Sequence, residues 1–426
     1  MHSVSVPRQF FHYHRAMSTN VPLLVLTFEE ARRVVETQAA TFAASGIETV
    51  ELLAAAGRVL GEDLLADRDV PPFPRSTRDG YAVRSRDCQA VPASLAVIGE
   101  IKAGESLENI PTNVDVNQAV AIMTGAPVPV GTDAVVMVEH TSQSGDHVSI
   151  ARAVTAGENI VPRGAEAREG GVLISRGTRL NDAAIALAAS AGKSQLRVHR
   201  CPRIAVLTTG DEIIPIDGTP GPTQIRNSNS YSLAVQIRKA GGEPVLLPVA
   251  PDEPRQLRAL IEHGLQSDLL LLTGGVSLGR YDLVEQVLTE LGAEFFFTGA
   301  KIQPGRPVVF GRCRDTFFFG LPGNPVSTMV TFELFARPML EALTGMTPRK
   351  LAFLYAKLKS EIRVKPGLKR FLPANLTGEF ENTEVELVPW QGSGDVAATA
   401  RANCYIVIPD DREKIAAGEF VAILPR

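Results

Sequence analysis

The stretch LLLLTGGVSLGRYD, residues 269–282, carries the clearest structural signal in the chain. Four leucines lead to Thr273, two glycines follow, and an apolar helical pattern resumes after Asp282. A short apolar run bounded by glycine is typical of a strand that is buried on both faces. The stretch therefore predicts a strand, a glycine loop and a helix in succession.

The same pattern repeats through residues 203–345. The apolar runs RIAVLTT (203–209), PVLLPVA (244–250) and TFFFG (316–320) alternate with amphipathic segments. Strands that alternate with helices indicate crossover connections, and hence a doubly wound, mostly parallel sheet. The fold class expected for the whole chain is α/β multidomain.

The flanking regions predict smaller domains of a different kind. Thr27 and Glu30 form a capping box for a helix that reaches about residue 44, and a shorter helix ends near residue 57. Short alternating strands over 84–160 predict a β-domain, and a helix capped by Asn181 or Asp182 follows it. After residue 346, short strands return and predict a small β-barrel or sandwich.

Composition excludes several classes of protein. The chain has 43 Lys and Arg residues and 47 Asp and Glu residues. The resulting net charge of −4 argues against a nucleic-acid partner. No apolar stretch approaches the roughly 20 residues that span a bilayer, so no membrane partner is expected. The four cysteines are far apart and form no CxxC pair, which favours a reducing cytoplasm over a disulfide or zinc framework.

Three glycine-rich or polar loops follow strands of the α/β region. They are TTGDE (208–212), TGGVSLGRYD (273–282) and GLPGNPVS (320–327), with QPGRP (303–307) nearby. Ligands of open α/β sheets bind outside the carboxyl ends of the strands, where backbone N–H groups and helix N-termini attract anions. Each loop alone is also explained as a tight turn, but together they favour a phosphorylated ligand.

The carboxylates in these loops would repel a polyanion. Asp211, Glu212 and Asp282 fit the site if Mg²⁺ joins them to the ligand, because Mg²⁺ is held by one or two carboxylates and substrate oxygens. Alternatively, Asp211 and Asp282 are turn or helix-start acids that favour the helix dipole. Walker A, G-x-G-x-x-G and G-x-S-x-G patterns are absent from the loops, which disfavours NTPases, dinucleotide folds and serine hydrolases.

Taken together, the motifs resemble the molybdopterin molybdenumtransferase family, which includes MoeA and the gephyrin E domain. The resemblance covers about residue 23 to the C-terminus. Besides the loops above, it rests on VPPFPRSTRDGYAVR (70–84), IMTGAPVPVGTDAVVMVE (122–139), RGAEAREGGVLISRGTRL (163–180) and SNS (228–230).

The resemblance implies a reaction and an architecture. The family inserts molybdenum from molybdate into adenylylated molybdopterin, releasing AMP with Mg²⁺ as cofactor, in a homodimer with a composite active site. The implied domains are a flexible tail over 1–22, a discontinuous helical domain over 23–66 and 165–198, and an inserted β-domain over 67–164. The α/β domain over 199–345 binds molybdopterin, and a barrel-like β-domain over 346–426 completes the chain.

Site residues carry over from the family's motifs. The acids implicated in the reaction are Asp79, Glu166, Glu212 and Asp282, and three of these, Asp79, Glu212 and Asp282, are implied metal ligands. Substrate binding is assigned to Thr209, Gly210, Ser228, Asn229, Asp252, Gly274, Gly275, Ser277, Gly305, Arg306, Pro322, Gly323 and Asn324.

The chain departs from the family's motifs at several positions. Pro74, Arg75 and Arg78 replace an acid, an amide and an apolar residue, and Ala165-Glu166 replaces a Glu-Asp pair, so Glu166 would do the aspartate's work. Asn227 and Gln303 also differ from the usual aspartate and lysine. Two other functions stay open: a non-catalytic molybdopterin-binding scaffold and a tungsten-inserting homologue.

Overall fold

The computed structural model describes residues 24–42, 44–275, 283–346 and 349–426. The chain divides into two compact units: one holds the described residues up to Ile47 together with His199–Arg426, and the other is Glu48–Val198. In these described residues, no helix is long and apolar enough to cross a membrane. The predicted tail over 1–22 lies outside the described residues.

A six-stranded sheet forms the centre of the first unit. Its strands are β1 (Arg203–Thr208), β2 (Glu243–Leu246), β3 (Leu269–Thr273), β4 (Glu294–Phe297), β5 (Val309–Cys313) and β6 (Thr316–Leu321). The spatial order is β2–β1–β3–β6–β5–β4. The first four of these are parallel, as predicted. β5 pairs antiparallel with β6, and β4 pairs antiparallel with β5, so β5 alone runs opposite to the other five strands.

Helices cover both faces of this sheet. They are α1 (Asn229–Ala240), α2 (Pro254–Gly264), α3 (Leu283–Glu290), α4 (Pro325–Thr331) and α5 (Arg337–Leu343), with a π-helical segment, Phe332–Ala336, between the last two. Leu269 and Leu271 of β3 pack in the core that includes α1 and α4. Leu270 and Leu272 pack in the opposite core, against α2 and α3. The four-leucine run is therefore apolar because both faces of β3 are covered.

The N-terminal helix, Phe28–Ala39, also belongs to the first unit. The Thr27 hydroxyl accepts from the Glu30 backbone while the Glu30 carboxylate accepts from the Thr27 backbone, so the predicted capping box is confirmed. The helix ends at Ala39, short of the expected residue 44. Its buried residues pack in the same core as α5, which places it with the α/β sheet.

The expected second helix, ending near residue 57, is wrong. The segment instead forms a strand, Ile47–Glu51, and a short 3₁₀ turn, Leu52–Ala55. The strand pairs with Gln195–His199, about 150 residues further along the chain. That long-range pairing overrides the local helical pattern.

The second unit contains the predicted β-domain. Its six-stranded sheet has the spatial order Ala134–Met137, Gly80–Val83, Gln118–Ile122, Ala93–Ile101, His147–Ile150 and Thr141–Ser144. The helix Asp182–Ser190 begins at Asn181, whose side chain accepts from the Ala184 N–H at 2.9 Å. Of the two predicted caps, Asn181 is therefore the one used.

The C-terminal region forms a closed five-stranded barrel, which confirms the barrel alternative. Its strands are Leu354–Leu358, Lys369–Thr377, Glu384–Leu387, Cys404–Ile408 and Phe420–Pro425. Each strand pairs with two others of the set, so the ring closes. The strand Lys369–Thr377 was not predicted.

Short strand pairs complete the described structure. They are Val25–Leu26 with Gly299–Ala300, Leu64–Leu65 with Val172–Ile174, Arg75–Ser76 with Ile160–Val161, Ile213–Ile214 with Ile225–Arg226, and Ile362–Arg363 with Lys414–Ile415. The strand Ile302–Gln303 pairs with Lys369 and Arg370 of the barrel. The five expected domain boundaries stay a prediction, since the contacts divide the chain into two units.

Phe319 provides a test of the sheet core. It is fully buried and stacks on Phe310, with ring centroids 4.5 Å apart. We expect Phe319→Ala to lower the free energy of unfolding by about 3–5 kcal/mol, because it leaves a cavity between β6 and β5. Phe380→Ala is the matched control, since Phe380 is 93% exposed. Denaturant unfolding measures both, and equal losses would contradict this packing.

Candidate functional site

A cleft of about 380 Å³ lies at the carboxyl ends of β1, β3 and β6. The described parts of the three predicted loops meet there. Its walls include Thr209, Glu212, Arg226, Ser228, Asn229, Gly274, Gly275, Pro322, Gly323 and Asn324. Nine of these ten residues were predicted to bind substrate or take part in the reaction, and the tenth, Arg226, was not.

The loops after β1, β3 and β6 approach one another backbone to backbone. The Thr209 N–H donates to the Thr273 carbonyl at 3.1 Å. Gly274 has a φ of +88°, and a Cβ there would stand 2.3 Å from the Thr209 carbonyl oxygen. A Cβ on Gly323 would in turn stand 3.4 Å from the Gly274 Cα. Glycine at 274 is therefore needed for both the backbone angle and the close approach.

Carboxylates brace the first loop. The Thr209 hydroxyl donates to Asp252 at 3.0 Å, and the Asp252 N–H donates to the Asp211 carboxylate at 3.0 Å. Asp252 and Asp211 thus hold the turn that contains Gly210. The sequence allows Asp211 to be either a turn residue or a metal ligand. In the structure its carboxylate accepts a hydrogen bond within the turn.

Asn229 connects β3 to the third loop at the floor of the cleft. Its Nδ2 donates to the Thr273 hydroxyl at 2.9 Å and to the Gly323 carbonyl at 2.7 Å. The carbonyl can only accept, which fixes the orientation of the amide. Asn229 Oδ1 is buried and has no hydrogen-bond partner among the described residues. The floor therefore contains an unused acceptor beside the cleft.

A second network of buried hydrogen bonds lies at the N-terminal end of α1. The Ser230 N–H donates to Asn227 Oδ1 at 3.1 Å, and Asn227 Nδ2 donates to the Ser230 hydroxyl at 2.9 Å. The Ser230 hydroxyl is also 2.8 Å from that of Thr208, at the end of β1. Asn227, which precedes the N-cap residue Ser228, therefore accepts from the Ser230 N–H in the first turn of α1. Asn and Asp both offer a side-chain oxygen for that N–H, so this departure from the family's aspartate keeps the bond.

Glu212 and Arg226 bring opposite charges to the cleft. Glu212 directly precedes the short strand Ile213–Ile214, Arg226 ends its partner strand Ile225–Arg226, and both side chains are exposed. A Cβ on Gly210 would stand 2.5 Å from a Glu212 carboxylate oxygen, so glycine leaves room for that carboxylate over the loop. Arg226 is the cation that sequence analysis missed, although it directly precedes the Asn227-Ser-Asn-Ser stretch.

An adjoining cleft of about 430 Å³ contains the PGRP turn. Gly305 and Arg306 line it together with Ser327, Trp390 and Ser393. The two clefts share Pro307, Pro322 and Asn324. Asn324 Nδ2 donates to the Ser393 hydroxyl at 2.9 Å, which ties the barrel loop to the third loop. Trp390 and Ser393 have no local sequence signal, because they lie about 70 residues from that loop.

Asp79 and Glu166 lie in the second unit and are each engaged locally. Asp79 Oδ1 accepts from the Thr124 N–H at 2.6 Å and from the Thr124 hydroxyl at 2.9 Å. Glu166 forms an ion pair with Arg75 at 3.0 Å. Two of the departures, Arg75 and Glu166, are thus partners of each other. The catalytic roles of Asp79 and Glu166 stay predictions.

The remaining acid of the set, Asp282, lies outside the described residues, as does Ser277. Within the described ranges, no group of three or more His, Cys, Asp or Glu side chains is placed to hold a metal ion. Glu212 is the predicted metal ligand that the structure places at the cleft.

Gly274→Ala tests the close approach of the loops. Gly292 is a matched control, since its φ is +80° but a Cβ there would meet open space. We expect Gly292→Ala to cost about 1 kcal/mol of unfolding free energy for the backbone angle alone. Gly274→Ala should cost about 1–3 kcal/mol more, because the Thr209 carbonyl must move. Equal costs in denaturant unfolding would show that the loops do not require the contact.

Asp79 gives a pH-dependent prediction. The Thr124 backbone N–H, and then its hydroxyl, lower the pKa of Asp79 below its ordinary value of 3.8. Stabilisation by the carboxylate is therefore complete above the unfolded-state pKa and is lost as pH falls through the lower, folded-state pKa. We expect Thr124→Val to raise the pKa of Asp79 part of the way back, as measured by NMR titration of the carboxyl carbon. An unchanged pKa would mean that the hydroxyl bond is not formed.

Three family models match successive parts of the chain between residues 26 and 425. The MoeA N-terminal region (domain I and II) matches residues 26–192. A probable molybdopterin binding domain matches residues 205–342, and the MoeA C-terminal region (domain IV) matches residues 355–425.

Individual relatives match over most of their length. A molybdopterin molybdenumtransferase of Haemophilus influenzae is 34% identical over 386 residues, which cover 89% of this chain and 93% of that protein. One of Bacillus subtilis is 34% identical over 379 residues, or 86% of this chain and 87% of that protein. A solved moeA protein of Pyrococcus horikoshii has a TM-score of 0.75 at 28% identity, covering 94% of this chain and all of the other. By sequence and by fold, the chain belongs to the MoeA family of molybdopterin molybdenumtransferases.

Proposed function

We propose that this chain inserts molybdenum, supplied as molybdate, into adenylylated molybdopterin and releases AMP. The observation that carries the proposal is the cleft at the carboxyl ends of β1, β3 and β6, where three loops meet. The membership of the chain in the molybdenumtransferase family supports the same function.

The cleft suits a phosphorylated, hydroxyl-bearing ligand. Its loops are held close enough for backbone groups to reach a phosphate, and Ser228 and Asn229 lie at the beginning of α1, whose positive end faces the site. Arg226 provides a cation at the rim, and Arg306 provides one in the adjoining cleft. The unused Asn229 Oδ1 would accept a hydrogen bond from the ligand. These groups would bind and orient the substrate without forming a covalent bond to it.

Mg²⁺ is the cofactor that we propose. Glu212 fits, since Mg²⁺ is usually held by one or two carboxylates together with substrate oxygens. Asp282 is the proposed second ligand, and Asp79 is a third candidate. The bound ion would supply Lewis-acid stabilisation of negative charge as AMP leaves. The chain's own contribution is to hold the Glu212 carboxylate over Gly210, where the backbone leaves room for it.

In the proposed homodimer, the first unit of one subunit and the second unit of the other would each contribute residues to one active site. The phosphate-binding loops and Glu212 belong to the first unit, whereas Asp79 and the Arg75–Glu166 pair belong to the second. Because Arg75 neutralises part of the charge on Glu166, this pair is better suited to binding an oxyanion than a lone carboxylate would be.

The direct test measures AMP release. Purified protein is incubated with adenylylated molybdopterin, Mg²⁺ and either molybdate or tungstate, and AMP and metal-loaded cofactor are quantified. AMP release with molybdate supports the proposal, and release with tungstate alone would assign the chain to tungsten. Tight binding of molybdopterin without any release would favour the scaffold function instead.

Glu212→Gln separates binding from turnover. The substitution keeps the size of the side chain but removes a hard anionic ligand, so we expect AMP release to fall about 10- to 100-fold while the substrate still binds. Glu381→Gln is the control, because Glu381 is exposed on the barrel domain. Wild-type turnover by Glu212→Gln would remove this residue from the proposed metal site.

Subunit mixing tests the composite site. Asp79→Ala and Asp282→Ala subunits are each expected to lose most of their activity. If the two residues act in active sites shared between subunits, mixed dimers regain part of it, because one of their two sites is then intact. No recovery in confirmed mixed dimers would contradict the shared site.

A further inference from the structure

The first unit contains another cavity, of about 300 Å³, which shares no lining residue with the active cleft. It lies between α1, the α4–α5 region with its π-helical segment, and the C-terminal barrel. The polar and charged groups that line it are Ser232, Gln236, Lys239, Glu333, Arg337, Tyr405 and Arg426. None of them has a part in the proposed reaction.

Gln236 leaves an acceptor unused beside this cavity. Its Nε2 donates to the Met329 carbonyl at 3.0 Å, and because a carbonyl can only accept, the amide orientation is fixed. Gln236 Oε1 is buried and has no hydrogen-bond partner among the described residues. An acceptor that is buried and unpaired is unfavourable, so a ligand that donates a hydrogen bond to it would be stabilised.

Tyr405 supplies a donor on the barrel side. The residue is 3% exposed, and burial raises the pKa of its hydroxyl to about 12. The hydroxyl therefore stays protonated at neutral pH and can donate to an anion. The Arg426 guanidinium carbon lies 5.4 Å from the centre of the same ring, so the cation is positioned at this wall.

The charges around the cavity favour an anion. Arg337 is offset by Glu333 and Glu341, which both pair with it. Arg426 donates to the backbone carbonyls of Thr399 and Ala402, and within the described ranges no side-chain carboxylate pairs with it.

The π-helical segment Phe332–Ala336 gives a separate indication of function. π-Helical turns are rare and frequently occur at functional sites. Here the Arg32 guanidinium donates to the Leu334 carbonyl at 2.6 Å, inside the segment, and Glu333 of the same segment lines the cavity. The irregular turn thus forms one wall.

We propose that this cavity binds a small anion that carries a hydroxyl group. The ligand's hydroxyl would donate to Gln236 Oε1, and its anionic group would accept from the Tyr405 hydroxyl beside Arg426. A hydroxycarboxylate and a phosphorylated polyol share this chemistry. The inference does not depend on the proposed function, because the two clefts have no lining residue in common.

The test is calorimetric titration of the full chain with L-malate and with glycerol 3-phosphate. We expect at least one probe to bind at one site per chain. The probe that binds more tightly shows whether the cavity prefers a carboxylate or a phosphate. Gln236→Met and Tyr405→Phe should each weaken that binding about tenfold, as expected for loss of a hydrogen bond within a charged site. Tyr355→Phe is the matched control, since Tyr355 is 69% exposed on the barrel, and should change the affinity less than twofold.

The outcomes that overturn the proposal are equally specific. They are no binding of either probe at millimolar concentration, wild-type affinity in both cavity variants, or displacement of the probe by AMP, which would place it in the active cleft. Thermal unfolding checks that both cavity variants fold. If one of them does not fold, the affinity of the other variant tests the proposal.

Discussion

The close backbone contact between Thr209 and Gly274 is the constraint on which the site depends. It brings the loops after β1 and β3 together at a distance that no side chain at residue 274 would allow. The loop after β6 then closes against Gly274 through Gly323, and Asn229 joins Gly323 to Thr273 by two hydrogen bonds. Because these contacts are made by the backbone and by buried side chains, the cleft is built before any ligand arrives.

The departures from the family's motifs differ in what they change. Asn227 keeps the hydrogen bonds that begin α1, so its replacement of an aspartate removes a charge from the floor but leaves the geometry in place. Arg75 and Glu166 instead form a new ion pair in the second unit. Both side chains are substantially exposed, so the pair contributes little to stability, and its significance lies in the charge that it presents.

The helices that border the candidate cleft also line the second cavity. α1 begins at Asn229, in the cleft, and includes Gln236, at the cavity. The segment from Pro325 to Arg337 likewise runs from the cleft, through the π-helical turn, to the cavity. A ligand bound in the second cavity would therefore contact α1 and the segment from Pro325 to Arg337, which also border the cleft.

The local sequence determined those features that depend on neighbouring residues. The capping box of Thr27 and Glu30 needs contacts only three residues apart, and the leucine run of β3 directly reflects burial on both faces. The glycine-rich loops were likewise visible as breaks after apolar strands. The resemblance to the family then supplied the predicted site residues, and nine of these line the cleft.

Only the tertiary structure decided which distant segments meet. The strand Ile47–Glu51 was not recognised, because its partner strand lies about 150 residues away. The antiparallel pairings of β5 with β6 and of β4 with β5 were also missed. The Arg75–Glu166 pair and the Asn324–Ser393 bond join residues 91 and 69 positions apart. Such contacts leave no local pattern, because each partner acquires its role only when folding places it beside the other.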